Sequence, residues 1–222
     1  MPERVTVIIP SLNEAPTIAA AIDSAFAAGA AEVLVADGGS EDDTVKLAAW
    51  RGARVLTGQR VRASQLNAAA REAAGEVLLF LHADTLLPAG ACSAAAEALA
   101  AGREFGGFRL RFAEDAPKLR LAAWMINLRT RLTRRPWGDQ AQFVRRDDFL
   151  AAGGFRELAI LEDYELAARM RRRVLLPLTV TTSGRRFLQK GLLRTAAINW
   201  RIIIAWRLGA DAGKLARLYR GR

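Results

Sequence analysis

The stretch Val77-Leu78-Leu79-Phe80-Leu81-His82-Ala83-Asp84 constrains the chain more than any other. Five apolar residues in a row after Gly75-Glu76 are too few for an ordinary helix. They suit a strand buried on both faces, as in a parallel sheet. The run ends in His82 and Asp84. At the carboxyl end of a strand in an open α/β sheet, side chains border the ligand crevice, so these two are offered to a ligand, a metal or both. Their alternate spacing points them the same way if strand geometry persists through Asp84. The alternative is local: Asp84 caps a helix near Pro88, and His82 satisfies a backbone group.

The residues before this strand repeat one pattern. Val5 to Ile9 reads as a strand ended by Pro10. Ser11 to Ala15 is then a loop, and Pro16 opens an alanine-rich helix to about Ala28. Glu32 to Ala36 is a second strand that stops at Asp37-Gly38-Gly39-Ser40. Ser40 and Asp43 have the spacing of a capping box for the helix that follows. Arg54 to Leu56 is a third strand, and a helix from about Ala63 to Ala74 carries Asn67. Strand and helix alternating four times predict an α/β fold, a mostly parallel central sheet covered by helices, with right-handed crossovers.

Beyond Asp84 the pattern changes. A helix follows Pro88, and Phe105 to Phe112 alternates apolar and polar like a half-exposed strand. A helix from about Pro117 to Arg134 is broken by Pro136-Trp137-Gly138-Asp139-Gln140, ahead of a strand from Ala141 to Arg145. Gly153-Gly154-Phe155 is a turn, a helix opens at about Ile160, and Pro177 makes Val174 to Thr182 an edge strand. Residues 1–187 form the main domain and 188–222 a helical C-terminal tail, continuous from about Leu188 to Tyr219. Arg194, Arg201 and Arg207 interrupt its apolar run, so it is not a membrane span. With Trp200 and Trp206 they suit a membrane interface, against the alternative of a terminal helix packed on the domain.

The formal net charge of +10 admits nucleic acid, anionic lipid or phosphate-bearing substrates as partners. Zinc-finger spacing, an RNA-binding signature and a basic zipper are all missing, so no nucleic acid is expected. The single cysteine, Cys92, excludes an internal disulfide and suits a reducing compartment. With no basic-then-apolar leader at the N-terminus, the expected location is cytoplasmic, with an option on the inner membrane face.

Carboxylates stand at three element boundaries: Asp37, Asp84 and the pair Glu162-Asp163. No G-x-G-x-x-G follows the first strand, which removes the main support for a nicotinamide enzyme. There is no phosphate-loop motif and no G-x-S-x-G, and His82 is the only histidine. What remains is a nucleotide held without a glycine-rich loop. Mg²⁺ or Mn²⁺ on Asp84, with or without His82, would bridge its phosphates.

Six segments occur in the order seen in glycosyltransferase family 2, which the chain resembles: Val7 to Glu14, Asp37 to Thr44, Leu66 to Ala69, Phe80 to Asp84, Gly153 to Phe155 and Glu162 to Leu166. The resemblance implies a nucleotide-diphospho-sugar transferase (GT-A-like) fold and inverting transfer of a sugar from a nucleotide-diphosphate donor to a hydroxyl acceptor. It also implies residue roles. Pro10, Asn13 and Glu14 would line the nucleotide pocket, Asp37 would bind the base, and Arg62 with Asn67 would border the donor. Asp84 falls on the last carboxylate of the family's D-x-D metal motif, whose first position is His82 here. Asp163 falls on the catalytic base, and Glu162 would orient the acceptor or the helix start. Gly138-Asp139-Gln140 and Thr182-Ser183-Gly184-Arg185-Arg186 look more narrowly like a small bacterial subgroup associated with radical-SAM proteins or arsenosugar biosynthesis. That places Asp139, Gln140, Arg185 and Arg186 on the acceptor side, with a small-molecule or lipid-linked acceptor. The rivals are a sugar-nucleotide pyrophosphorylase, whose G-G-x-G-x-R loop is missing, and a basic nucleic-acid or membrane-surface module without catalysis.

Overall fold

Strands β1 (Val5–Ser11), β2 (Glu32–Asp37), β3 (Arg54–Thr57) and β4 (Val77–Phe80) lie in the order β3-β2-β1-β4, all parallel. Helices α1 (Ile18–Ala27), α2 (Thr44–Trp50) and α3 (Arg62–Glu72) connect them. The structure, a computed structural model, describes residues 3–58 and 61–220, except the side chains of 186, 190, 192–194, 196, 219 and 220. Period-two alternation sorts each strand's residues onto two cores. Val7, Ile9, Val33, Val35 and Leu79 face α1 and the later α4, whereas Ile8, Leu34, Leu78 and Phe80 face α3.

The second half completes an eight-stranded sheet in the order β3-β2-β1-β4-β7-β6-β8-β5. It comprises β5 (Thr85–Leu86), α4 (Ala91–Ala100), β6 (Phe105–Phe112), α5 (Pro117–Thr133), a 3-10 turn at Gly138–Gln140 and β7 (Gln142–Arg145). Then come α6 (Arg146–Ala151), α7 (Glu162–Arg169), β8 (Arg173–Thr182), α8 (Arg185–Lys190), α9 (Leu192–Arg207) and α10 (Ala212–Arg220). β7 runs antiparallel to β4 and β6, β8 is parallel to β6, and β5 is antiparallel to β8. The α/β class and the mostly parallel, helix-covered sheet are as expected, with every antiparallel pairing made by β7 or β5.

Several local expectations are corrected. β1 continues through Pro10 to Ser11, because its pairing with β4 stops at Ile8 and only β2 accompanies it further. β4 ends at Phe80, and the Thr85 amide closes a turn onto the His82 carbonyl at 3.1 Å. His82 and Asp84 therefore lie on a turn, without strand alternation. Asp84 does not cap the next helix, which begins only at Ala91 after Gly90 at φ +74°. The Ser40–Asp43 capping box does not form, since Ser40 is drawn to Asp37. β6 is buried from Phe105 to Phe108, where the cores on both faces of the sheet reach it, and alternates as expected only from Arg109 onward. Pro177 sits in a bulge: Phe108 pairs with Leu176 but Arg109 with Thr179. β8 is an edge only along its first part, as β5 covers Thr181 and Thr182. The tail is three helices, broken at Gly191 (φ +81°) and Gly209 (φ +88°). Among the described residues no helix is long and apolar enough to cross a membrane.

Candidate active site

The carboxyl ends of β1 and β4 open onto a cleft, as strand ends do in an open α/β sheet. Pro10, His82, Gly138, Arg62, Glu162 and Asp163 line it. Asp163 stands in the first turn of α7, beside Glu162. Its carboxylate accepts the Gly138 amide at 2.5 Å and the Tyr164 amide at 2.7 Å, which fixes its direction. Gln142 on β7 reinforces this by donating to the Asp163 carbonyl at 3.0 Å and to the Pro136 carbonyl at 2.9 Å. Glu162 pairs with Arg62 on α3 at 3.2 Å, and burial, then the neighbouring Asp163, raise its carboxyl above the ordinary value.

His82 meets this group through its imidazole. A Cβ on Gly138 would fall 2.8 Å from His82 Nε2 and 2.9 Å from Asp163 Oδ2, so only glycine lets the three pack together. Nε2 is buried with no hydrogen-bond partner among the described residues. Burial, then the Arg62 charge, hold the imidazole well below its usual value, which leaves it neutral.

Asp139 follows in the same turn, with Oδ1 buried and without a hydrogen-bond partner among the described residues. Burial pushes its carboxyl up to about 6, opposed by Arg129 and reinforced by Asp163 and Asp84. Gln140 is turned inward. It accepts from Thr130 Oγ1 at 2.7 Å and Arg129 Nη2 at 3.1 Å, and donates to the Phe108 carbonyl at 3.1 Å, so its amide is spent on the scaffold rather than offered to an acceptor. Arg129 was not among the sequence candidates. It lies with its guanidinium 3.6 Å over the Trp137 ring, and burial brings it down to about 10. Nothing in the sequence separates Arg129 from the arginines around it.

The nucleotide side is built around Asp37, buried at the end of β2. Its carboxylate accepts the Gly39 and Ser40 amides, both at 2.8 Å, and the hydroxyls of Ser40 and Ser11. Burial alone would raise this carboxyl, but the four hydrogen bonds outweigh it and hold it below its ordinary value. Asp37 and Asn67 are among the residues lining a cavity of about 160 Å³ between the ends of β2 and β3 and helix α3. Asn67 is a clamp: its amide accepts the Phe155 N–H at 2.9 Å and donates to the Phe155 carbonyl at 2.8 Å, tying α3 to the Gly153-Gly154-Phe155 turn. Asn13, at φ +56°, accepts the Glu41 amide and donates its own amide to Ser40 Oγ.

Glu14 is half-buried, and burial raises its carboxyl; Asp84 and Arg185 lie within its electrostatic reach. Arg185 is exposed at the start of α8. The Arg186 side chain, the remaining acceptor-side candidate, lies outside the described residues.

A divalent cation fits this donor set in one way. Among the described residues the Asp84 carboxylate accepts a hydrogen bond only from Thr85 Oγ1, at 3.4 Å. No group of three or more His, Cys, Asp or Glu side chains among the described residues could cage a metal. Mg²⁺ and Mn²⁺ are often held by one or two carboxylates plus substrate phosphates, and Asp84 meets that requirement. His82 is turned against Gly138 and is the weaker candidate.

Carboxylates at strand ends, beside a cleft and a cavity of about 160 Å³, are the layout of a small-ligand enzyme site on an α/β sheet. Residues 6–155 match the family described as glycosyl transferase family 2, and the chain belongs to that family. It is a glycosyltransferase. No curated protein sequence matches it significantly. Among solved structures it is similar to the mannosyltransferase PcManGT from Pyrobaculum calidifontis in complex with GDP-Man and Mn²⁺. That pair is 20% identical with TM-score 0.64, over 98% of this chain and 70% of that one. It is similar to mannosyl-3-phosphoglycerate synthase from Rubrobacter xylanophilus at 20% identity and TM-score 0.59, over 93% and 75%. It is also similar to glucosyl-3-phosphoglycerate synthase from Mycobacterium tuberculosis, with Mn²⁺, UDP-glucose and phosphoglyceric acid, at 18% identity and TM-score 0.60, over 95% and 82%. At these identities the likeness establishes the shared GT-A fold.

Proposed function

We propose that the protein transfers a hexose, with inversion, from a nucleotide-diphosphate donor to a hydroxyl acceptor, and that Asp163 is the base. One observation carries this reading: the Asp163 carboxylate is held by the Gly138 amide inside the cleft, at the ends of β1 and β4. A base so fixed takes the acceptor proton as the hydroxyl attacks the anomeric carbon and the nucleotide diphosphate leaves. Glu162, tied to Arg62, holds the cleft wall and orients the acceptor. The base and ribose occupy the cavity beside Asp37 and Asn67. The four hydrogen bonds already on Asp37 make it the keeper of that cavity's wall.

A cation on Asp84 would supply charge stabilisation for the leaving diphosphate. The Mn²⁺ in PcManGT and in the mycobacterial synthase supports this, as do their GDP-mannose and UDP-glucose donors for the donor class. A reducing, cytoplasmic setting is in keeping with the free, buried Cys92.

The test joins calorimetry with kinetics. Asp163→Asn should keep the affinity for GDP or UDP with Mn²⁺ and lose about 10²–10⁴-fold in turnover. Near-normal turnover in that variant would remove Asp163 from the role. Mn²⁺-independent nucleotide binding in the parent would remove the metal on Asp84.

A further inference from the structure

Helix α5 carries two opposed faces. Leu119, Ala122, Ala123 and Thr130 are buried in the domain, and the Asn127 amide grips both the amide and the carbonyl of Leu110 at 2.9 Å. The helix is thus pinned in place. Its outer face exposes Leu121, Trp124, Met125, Leu128 and Leu132, with Trp124 61% and Leu132 75% accessible. These residues recur at i, i+3, i+4, i+7 and i+11, a single stripe on an α-helix. Helix α9 packs against α5 and, with Leu208 just past its end, adds Trp200, Ile204 and Leu208 at i, i+4 and i+8, while Ile202 and Ile203 are buried beneath. So large an exposed apolar surface marks an interaction site.

Charge identifies the occupant. Neither α5 nor α9 contains an aspartate or glutamate. Lys118, Arg120 and Arg131 flank the α5 stripe, and Arg201 flanks that of α9, all exposed. Arg120 also pairs with Asp115. We propose that the outer faces of α5 and α9 together form a docking surface for an anionic lipid bilayer. Tryptophan and leucine enter the interface while the basic rim meets the headgroups. A second copy of the chain is the poorer fit, because two-fold packing of this face would bring like-charged rims together. Helix α5 also turns Arg129 inward against Trp137, so the bilayer would lie about one helix diameter, ~10 Å, from the cleft wall.

The experiment is vesicle co-sedimentation of the full chain with phosphatidylcholine alone and with phosphatidylcholine containing phosphatidylglycerol, at low and high salt. The parent should sediment with the anionic vesicles, less so as salt rises. Combined Trp124→Ser, Leu128→Ser and Leu132→Ser should weaken binding at least about ten-fold, with an unchanged circular dichroism spectrum. Arg131→Glu should flatten the salt dependence. Failure of the parent to sediment with either vesicle overturns the proposal, and so does equal binding by the triple variant. A lipid-free dimer in analytical ultracentrifugation that the triple variant dissociates would also overturn it. Nucleotide binding, measured separately, tests the transferase reading independently of these outcomes.

Discussion

The Asp139 carboxyl, raised to about 6 chiefly by burial, and the Asp37 carboxyl, lowered by its hydrogen bonds, respond to pH with opposite signs. For Asp139 the folded value lies above that of the unfolded chain, so the unfolded state gives up its proton first as pH rises. Stability is therefore lost from about pH 4 upward, and the loss is complete above about pH 6. Asp139→Asn removes the charge and keeps the shape. It should be more stable than the parent at about pH 8, by at most about 3 kcal/mol, and equal to it at about pH 3. Urea denaturation at the two pH values checks this; a variant no more stable at the higher pH would contradict the burial argument. For Asp37 the folded value is depressed, so its contribution is present above about pH 4 and disappears as the pH falls through the folded value.

At the scale of elements, the 3-10 turn at Gly138–Gln140 is the joint of the site. It meets α7 and the turn after β4 through Gly138, a residue without a side chain, and α5 through Gln140. Gly138→Ala must displace His82 or Asp163, since a Cβ would stand 2.8 and 2.9 Å from their atoms. The expected result is at least about ten-fold lower turnover, because a catalytic group moved by about 1 Å can cost far more than that. Adding His82→Ala should recover part of the loss by making room. Full turnover of Gly138→Ala alone would show that the packing is not needed. The Asn67 clamp is the same kind of joint on the other core. Asn67→Ala strips both bonds from Phe155 and should cost about 1–3 kcal/mol in thermal or chemical unfolding, with the nucleotide affinity changed less than the stability.

Across the whole molecule, the tail is tied to α7. Arg207 on α9 donates to the Tyr164 hydroxyl at 3.0 Å, next to Asp163. Tyr164→Phe removes that bond and little else. Amide exchange along α9 should quicken by up to about ten-fold, the equivalent of ~1 kcal/mol, while nucleotide affinity stays unchanged. Hydrogen–deuterium exchange read by mass spectrometry distinguishes this from a tail held by Ile202 and Ile203 alone. The basic charge of +10 also has a place at this scale, since it concentrates in the second half, where α5 and α9 lie.

Apolar runs, their spacing and the turn residues determined the α/β class, the four parallel strands and the family, because buried strands need continuous apolar stretches and strand ends need polar ones. Asp37 and Asp84 were legible for the same reason, since each stands just after a buried run, whereas Asp163 was legible at a helix start and through the family resemblance. Tertiary structure alone decided which candidates share the cleft. It spent Gln140 and Asn67 on the scaffold, drew in Arg129, and put Gly138 between His82 and Asp163. It also divided the tail at Gly191 and Gly209 and left the α5 stripe uncovered. A helix with apolar residues on both faces reads the same in sequence whichever face is buried. Only the neighbours that fill one side, here β6 and the inner core, determine which stripe meets solvent.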